Sequence, residues 1–429
     1  FKTMQNAWKI PDLRKKILFT LLVIIVFRIG ANMPAPFLNM EALAGLMGFV
    51  TDSSSANAFA YLNTLSGGAF AQATLFAMSV TPYINSSIIM QLLTIAIPPL
   101  ERLAKEGEEG RKKIASWTRY LAVVLGLIQG FSYYVMLRNA GLLTQTGVWA
   151  GIVIVLTFTA GTALIMWLGE HITQNGVGNG ISIILFAGIV SRGPSLIRTL
   201  YNLFKQGGGS IISALLMIVI GLAVVVFIVF MSNAERRIPV QYAKRVVGRK
   251  MYGGQSTHLP IKVNASGVMP IIFASTLCSL PGLIFRFINL DATEHPYLYT
   301  FFSVFNYNSL LYLIVYVLLI VAFNYFYVAI QYNPVDIANQ LRKNNGTIPG
   351  IRPGKPTSDF ITKTLSKITL IGAIFLAIVA GLPIILGNVT GTSIQLGGTS
   401  LLIVVGVALE TGRSLEGYMT ARFHKGFLE

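Results

Sequence analysis

The sequence predicts an all-α polytopic membrane protein with ten transmembrane helices, and three observations carry that prediction. Of 429 residues, 54% are hydrophobic and only 11% charged, whereas about a quarter of the residues in a soluble domain are charged. Apolar runs long enough to cross a bilayer, which takes about 20 residues each, recur along the whole chain. The basic residues are shared very unevenly among the segments that join those runs.

The ten candidate spans lie at about 17–36, 70–97, 118–137, 150–168, 181–200, 211–231, 267–285, 309–331, 368–386 and 399–411, the last being short. Lys and Arg near span ends set orientation, with the richer side cytoplasmic. Of the 33, 27 fall in the N-terminal segment, the 2/3, 6/7 and 8/9 loops and the C-terminal tail, with Arg119 counted at the edge of span 3. The 4/5 loop has none, and the opposite side holds only Arg138, Arg192, Arg198, Lys205 and Arg286. Both termini are therefore expected on the cytoplasmic side. Lys9, Arg14, Lys15 and Lys16 before an apolar run imitate a signal peptide, but Arg28 inside the run and the lack of a small-residue cleavage site favour a retained first span. The lone Cys278 can form no internal disulfide, and His171, His258, His295 and His424 have no metal-ligand spacing.

Residues 59–93 are the least like a lipid-facing helix. They pass from small residues with Gly67-Gly68 through an apolar run to Pro82, then Asn85, Ser86, Ser87 and Gln91. Broken or polar backbone at membrane depth is tolerated where it is buried in protein or lines a wet cavity. The stretch reads as a two-part hairpin or half-helix facing the inside of a bundle; a kinked packing helix is the plainer alternative. Val80 to Ser87 and Val268 to Ser275 share the pattern V-x-P-x-I-x-x-S five spans apart. Proline-interrupted segments at matching places in two halves point to an inverted repeat with the functional path between the halves. An odd number of spans per half makes the repeat inverted. Val80 and Ile84, and likewise Ile272 and Thr276, are four apart and share a helix face. An apolar constriction of that kind can close by dewetting, although each residue taken singly also fits ordinary core.

Ion-coupled transporters place an Asp or Glu at membrane depth. The 16 acidic residues here fall in loops or at span ends, such as Glu170, Glu235 and Glu410, and only Arg28 is well inside a run. Arg28 reads as a structural residue that snorkels or pairs with a carbonyl. Gly176, Gly178 and Gly180 lack the preceding strand of a dinucleotide fingerprint and fit a tight turn with a helix cap. There is no phosphate-binding G-x-x-x-x-G-K-[ST], so energy must come from a partner. The loops 232–266 and 332–367 are long and basic. In the first, Ile238, Val240 and Tyr242 alternate as in a strand and Gly253-Gly254 marks a turn, which suggests a small hairpin. In the second, Pro349-Gly350 and Arg352-Pro353-Gly354-Lys355-Pro356 mark a constrained tip. These charges enforce topology or meet anionic lipid, or they dock a large partner such as ribosomal RNA.

The sequence resembles the bacterial form of the SecY/Sec translocon channel-subunit family from Leu13 to Glu410. The motifs that carry the resemblance include Phe27-Arg28-Ile29-Gly30, Ser66-Gly67-Gly68-Ala69, Pro82-Tyr83-Ile84, Gln91-Leu92-Leu93, Glu106-Gly107-Glu108-Glu109-Gly110-Arg111-Lys112-Lys113 and Met166-Trp167-Leu168-Gly169-Glu170. Further along stand Gly178-Asn179-Gly180-Ile181-Ser182-Ile183, Gln255-Ser256-Thr257-His258-Leu259-Pro260, Pro349-Gly350-Ile351-Arg352-Pro353-Gly354 and Gly397-Gly398-Thr399-Ser400-Leu401-Leu402-Ile403.

The resemblance implies two inverted pseudo-symmetric five-helix halves, 1–200 and 201–429, with a lateral gate between spans 2/3 and 7/8. It implies a pore ring of Val80, Ile84, Leu185, Ile272, Thr276 and Ile403. Val80 and Leu185 stand where isoleucine is frequent in the family, and Thr276 adds a hydroxyl. A plug is implied as a short helix, Tyr61-Leu62-Asn63-Thr64-Leu65-Ser66-Gly67-Gly68-Ala69-Phe70-Ala71-Gln72-Ala73. Asn85, Gln91, Gln129 and Ser275 become lateral-gate positions. Lys244, Arg245, Arg249 and Lys250 in one basic loop, and Arg352 in the other, become docking residues for the SecA motor and the ribosome. The implied partners are SecE, SecG, SecA, the ribosome, signal peptides and nascent chains, and the lipid of a bacterial cytoplasmic membrane; no cofactor is implied. The tail after Thr411 matches the family poorly.

The expected function is a protein-conducting channel that passes unfolded polypeptides across the membrane and releases transmembrane segments sideways. Lipid favours such segments by roughly 0.3–0.6 kcal/mol per Leu, Ile, Phe or Val. A secondary transporter of small solutes is the alternative class, opposed by the missing intramembrane carboxylate. An intramembrane enzyme lacks a buried His or paired acids.

Overall fold

The computed structural model describes residues 8, 10–39, 63–206, 209–242, 245–247, 250–252, 256–288, 310–390 and 398–425. Within them run α1 (Pro11–Gly30), α2 (Thr81–Ala96), α3 (Pro98–Lys105), α4 (Glu108–Asn139), α5 (Val148–Asn175), α6 (Gly180–Val190), α7 (Gly193–Gln206) and α8 (Gly209–Asn233). Then follow β1 (Glu235–Tyr242), β2 (Arg245–Val247), β3 (Lys250–Tyr252), β4 (Ser256–Lys262), α9 (Met269–Ile288), α10 (Leu310–Gln331), α11 (Pro334–Lys343), β5 (Gly346–Thr347), α12 (Lys355–Thr390) and α13 (Gly398–Lys425). Each of the ten expected spans overlaps a helix. Among the described residues, five helices are alone long and apolar enough to cross a membrane, or six if α2 and α3 count as one broken span.

The differences from the expected boundaries have local causes. Span 2 was expected from residue 70, yet α2 begins at Thr81. Residues 66–80 are hydrogen-bonded turns, with positive φ at Gly67, Gly68, Ala73 and Ser79, a geometry that no helix carries. At the other end Ile97 is extended because Pro98 excludes helical backbone before it, and the chain bends by 102° into α3. In α3 a hydrogen bond from Lys105, together with its charge, holds the Glu101 carboxyl below its ordinary value. Span 5 divides at Ser191-Arg192 into α6 and α7, with Pro194 near the start of α7, a position where its missing N–H costs nothing. Helices α4, α12 and α13 outrun their apolar stretches, because helix continues into charged sequence once one end is packed.

The chain forms two compact units. The first comprises residues 1–216, 276–309 and 403–429; the second, 217–275 and 310–402. In the first, α4 packs on α2 and α5, and an Arg119 Nε–Glu170 Oε1 pair at 2.6 Å ties α4 to α5. The turn between α5 and α6, in the 4/5 loop, is the capped turn expected of it. Gly178 has φ +71°, and Asn179 Oδ1 accepts from the N–H groups of Ile181 and Ser182 at 3.1 and 3.4 Å. Leu13, Val177 and Leu415 close a small apolar cluster beside that turn.

The second unit joins the two basic loops in one sheet of order β4-β1-β5. Strand β1 pairs antiparallel with β4 from Glu235↔Lys262 to Gln241↔Ser256. It pairs with β5 through Gln241↔Thr347 and Tyr242↔Gly346. The expected hairpin thus exists, with a smaller β2–β3 hairpin inside it and a strand added from the other loop; Gly253-Gly254 lies outside the described residues. Ile238, Val240 and Ile261 from the sheet pack with Leu341, Ile348, Ile361, Leu365 and Ile368. The alternating apolar residues of β1 therefore have a core to face.

Candidate functional site

The turn-rich segment 63–80 is largely buried irregular backbone, and several of its polar groups are satisfied within it. Asn63 Oδ1 accepts from Ala71 N–H at 3.0 Å. Ser66 Oγ accepts from Phe70 N–H at 3.0 Å and donates to Asn63 O at 3.2 Å. Ser79 Oγ donates to Leu65 O at 3.3 Å. Small residues and short hydroxyl side chains thus replace helical hydrogen bonding, which buried backbone requires.

The segment rests on α1, α4, α5 and α6. Tyr133 Oη of α4 donates to Phe70 O, and the Phe70 ring lies 4.7 Å from that of Tyr133, which meets Phe158 of α5 at 5.1 Å. A Cβ at Gly161 of α5 would stand 2.0 Å from Leu75 O, so only glycine admits this backbone. Residues 33–35 run alongside, with Leu75 N–H to Met33 O at 2.8 Å and Ala35 N–H to Ala73 O at 3.1 Å. Arg28 of α1 donates to Ser191 Oγ at 2.9 Å and to Gly67 O at 3.5 Å. The carbonyl pairing expected of Arg28 is therefore present. Arg192 Nη1 donates to Thr64 Oγ1 at 2.8 Å.

Of the expected plug, Asn63 to Ala73 lie in this segment, while Tyr61 and Leu62 lie outside the described residues. Instead of a short helix there is helical backbone only at residues 63–65, since Gly67 and Gly68 at φ +66° and +95° turn the chain. The expected ring residues Val80, Ile84, Leu185, Ile272 and Ile403 are all buried, and Thr276 is half-buried. Val80 caps the start of α2 and Ile84 follows one turn later; Leu185 is on α6, Ile272 and Thr276 are one turn apart on α9, and Ile403 is on α13.

Of the expected gate positions, Asn85 and Gln91 in α2 each carry a buried side-chain oxygen with no hydrogen-bond partner among the described residues. Gln129 is half-buried on α4. Ser275 Oγ is already committed to Ile272 O at 2.9 Å.

Of the expected docking residues, Arg352 is exposed in a tip shaped by positive φ at Gly350 and Gly354, and Thr357 Oγ1 donates to its carbonyl at 2.8 Å. Arg245 and Lys250 fall on β2 and β3; Lys244 and Arg249 lie outside the described residues. Sequence reasoning missed Tyr133, Ser191, Arg192 and Asn324. Asn324 is the most legible of these, an amide inside the apolar run 309–331. Its Nδ2 donates to Thr369 O at 2.9 Å, and its Oδ1 accepts from Ser266 Oγ.

A family model described as SecY matches residues 74–412. The protein translocase subunit SecY of Halalkalibacterium halodurans is 46% identical over 439 aligned residues, covering 100% of both chains. The chain belongs to the SecY family. The SecY of Bacillus subtilis is 45% identical over 441 residues, again with 100% of both chains covered. Solved structures share the fold at lower identity. A protein conducting channel superposes with TM-score 0.66 at 18% identity, covering 96% of this chain and 94% of that one. Sec61 from a canine ribosome-channel complex gives TM-score 0.62 at 17% identity, covering 96% and 94%. As a SecY-family chain it is a multi-pass membrane protein of the Sec protein-conducting channel and not an enzyme.

Proposed function

We propose that this chain conducts unfolded polypeptides through a waist between two inverted halves, 1–200 and 201–429. Residues 61–73 act as the plug, and Val80, Ile84, Leu185, Ile272, Thr276 and Ile403 act as the yielding ring. The observation that carries the reading is segment 63–80. It is a buried, mostly non-helical stretch that leads into Val80 and Ile84, held by side-chain hydrogen bonds, two backbone bonds to residues 33–35 and the ring contacts of Phe70 and Phe76 rather than by continuous helix. Such a segment can leave its seat without unfolding any of the long helices.

A hydrophobic segment of the passing chain leaves sideways through a gate flanked by Asn85, Gln91, Gln129 and Ser275. Buried acceptors without donors, as at Asn85 and Gln91, each cost about 1–3 kcal/mol, which favours wall movements that give them a partner. The basic 6/7 and 8/9 loops face the cytoplasm with both termini, as the Lys/Arg asymmetry supports. Arg352 of the 8/9 loop and Lys244, Arg245, Arg249 and Lys250 of the 6/7 loop dock SecA or ribosomal RNA. SecE and SecG complete the complex in the bacterial cytoplasmic membrane.

The test is ion conductance of the reconstituted channel in planar bilayers. Deleting 61–73, or combining Ile84→Gly with Ile272→Gly, opens a leak. An unchanged tight bilayer in both variants overturns the plug and ring. Disulfide trapping of a stalled secretory chain against Ile84→Cys and Ile272→Cys, with Cys278→Ser as background, checks the path directly.

A further inference from the structure

The C-terminal end of α6 and the first turn of segment 63–80 approach more closely than side chains allow. A Cβ at Gly188 would stand 2.8 Å from Leu65 O. A Cβ at Gly67 would stand 2.8 Å from Gly188 O, 2.9 Å from Ser191 Oγ and 3.0 Å from Arg28 Nη1. Backbone therefore meets backbone here, and polar groups bind the contact on both sides. Ser191 Oγ donates to Gly188 O at 2.6 Å and accepts from Arg28 at 2.9 Å. Arg28 also reaches Gly67 O at 3.5 Å, and the next residue of α6's end, Arg192, holds Thr64 Oγ1 at 2.8 Å. An arginine in an apolar run costs several kcal/mol unless its donors are used, so Arg28 is committed to this contact.

We propose that Arg28, Ser191 and Arg192 form a latch that holds the plug, and that α6 links the latch to the pore ring. Leu185 and Ser191 lie on one rigid helical stretch, six residues or about 9 Å apart along its axis. A polypeptide that pushes Leu185 outward carries Gly188 and Ser191 with it. Arg28 belongs to α1 and stays behind, so the Arg28–Ser191 bond lengthens and the backbone contact at Gly67 opens. Widening of the waist and release of the plug then form one event, with Arg28 and Ser191 as positioning residues that touch no substrate. This inference rests on residues 61–73 being the plug.

The test measures conductance of reconstituted channels in planar bilayers for Arg28→Ala, Arg28→Lys, Ser191→Ala, Thr64→Val and Gly188→Ala, beside the 61–73 deletion. Loss of a charge-assisted bond predicts about a tenfold rise in resting conductance for Arg28→Ala and a smaller rise for Ser191→Ala and Thr64→Val. Arg28→Lys, which keeps a charged donor, restores most of the seal. Gly188→Ala removes no polar group but forces Leu65 away, and it leaks as well. Thermal melting of each purified variant, compared with wild type, shows that the leak is not unfolding. If the deletion leaks while Arg28→Ala, Ser191→Ala and Gly188→Ala all stay sealed, the latch is wrong and the plug reading survives. If Arg28→Lys leaks as much as Arg28→Ala, the bond to Ser191 and Gly67 is not what holds the plug. If the deletion itself stays sealed, plug and latch fall together.

Discussion

Tyr133 of α4 donates its hydroxyl to the carbonyl of Phe70 while its ring lies against the Phe70 ring 4.7 Å away. One side chain thus supplies both a polar and an apolar contact to the irregular segment. The two contacts separate by substitution. Tyr133→Phe keeps the stack and removes one hydrogen bond, a loss of about 0.5–1.5 kcal/mol because Phe70 O also accepts from Ala73 N–H at 3.1 Å. Tyr133→Ala removes both and opens a cavity beside Phe158, a loss of about 3–5 kcal/mol. Thermal melting in detergent should rank wild type, Tyr133→Phe and Tyr133→Ala in that order, with a wide gap before the last. Equal melting of the two variants would contradict the ring contact.

Gly161 gives a sharper prediction. The obstacle to a Cβ there is the Leu75 carbonyl at 2.0 Å, and backbone cannot rotate away as a side-chain tip can. Gly161→Ala must separate α5 from residues 74–76 and costs at least the roughly 1–3 kcal/mol of an overpacked core. We expect a lower yield of folded channel and faster proteolysis within 63–80. Gly221, in α8 with open space around it and ordinary helical backbone, is the control for yield.

Why the sequence told so much of this is a matter of scale. Most of the spans were legible because a long run of apolar residues is stable in lipid as a helix. The strand at Ile238, Val240 and Tyr242 was legible because its alternation has a core to face. The shape of 63–80 was not, because three glycines or serines in a row fit many turns, and the one chosen depends on Gly161, Gly188 and Tyr133 far along the chain. Arg28 stood out as a charge in an apolar run, but nothing local to it points to Ser191, 163 residues away. Distant partners of irregular backbone leave no period to read.

Asn324 anchors the second unit. It is buried with Ser266 and Thr369, accepting from one and donating to the carbonyl of the other. Asn324→Leu strands the Ser266 hydroxyl, at a cost of about 1–3 kcal/mol. Asn324→Leu combined with Ser266→Ala removes both polar partners and should recover part of that loss. A double-mutant cycle by thermal melting checks this. Strictly additive losses would mean that the two side chains are not coupled.

Arg352 is the exposed residue on which docking can be tested with least structural disturbance. Its side chain is exposed, and its loop is fixed through the backbone by Gly350, Gly354 and the Thr357 hydroxyl, none of which involves the guanidinium. The strand β5 that precedes it is tied to β1 by Thr347 Oγ1 donating to Gln241 O at 3.3 Å. Arg352→Glu therefore leaves melting and assembly unchanged while reversing one charge at a surface proposed to meet a partner. Arg and Lys also differ at such sites, since the planar guanidinium holds a carboxylate or phosphate by two parallel bonds. Motor-driven export into vesicles should fall at least tenfold for Arg352→Glu, the loss expected when a charged contact of about 1.5–3 kcal/mol is removed. Arg352→Lys should fall in between. Normal export by Arg352→Glu would remove this residue from the docking surface and leave the role to the basic residues of the 6/7 loop.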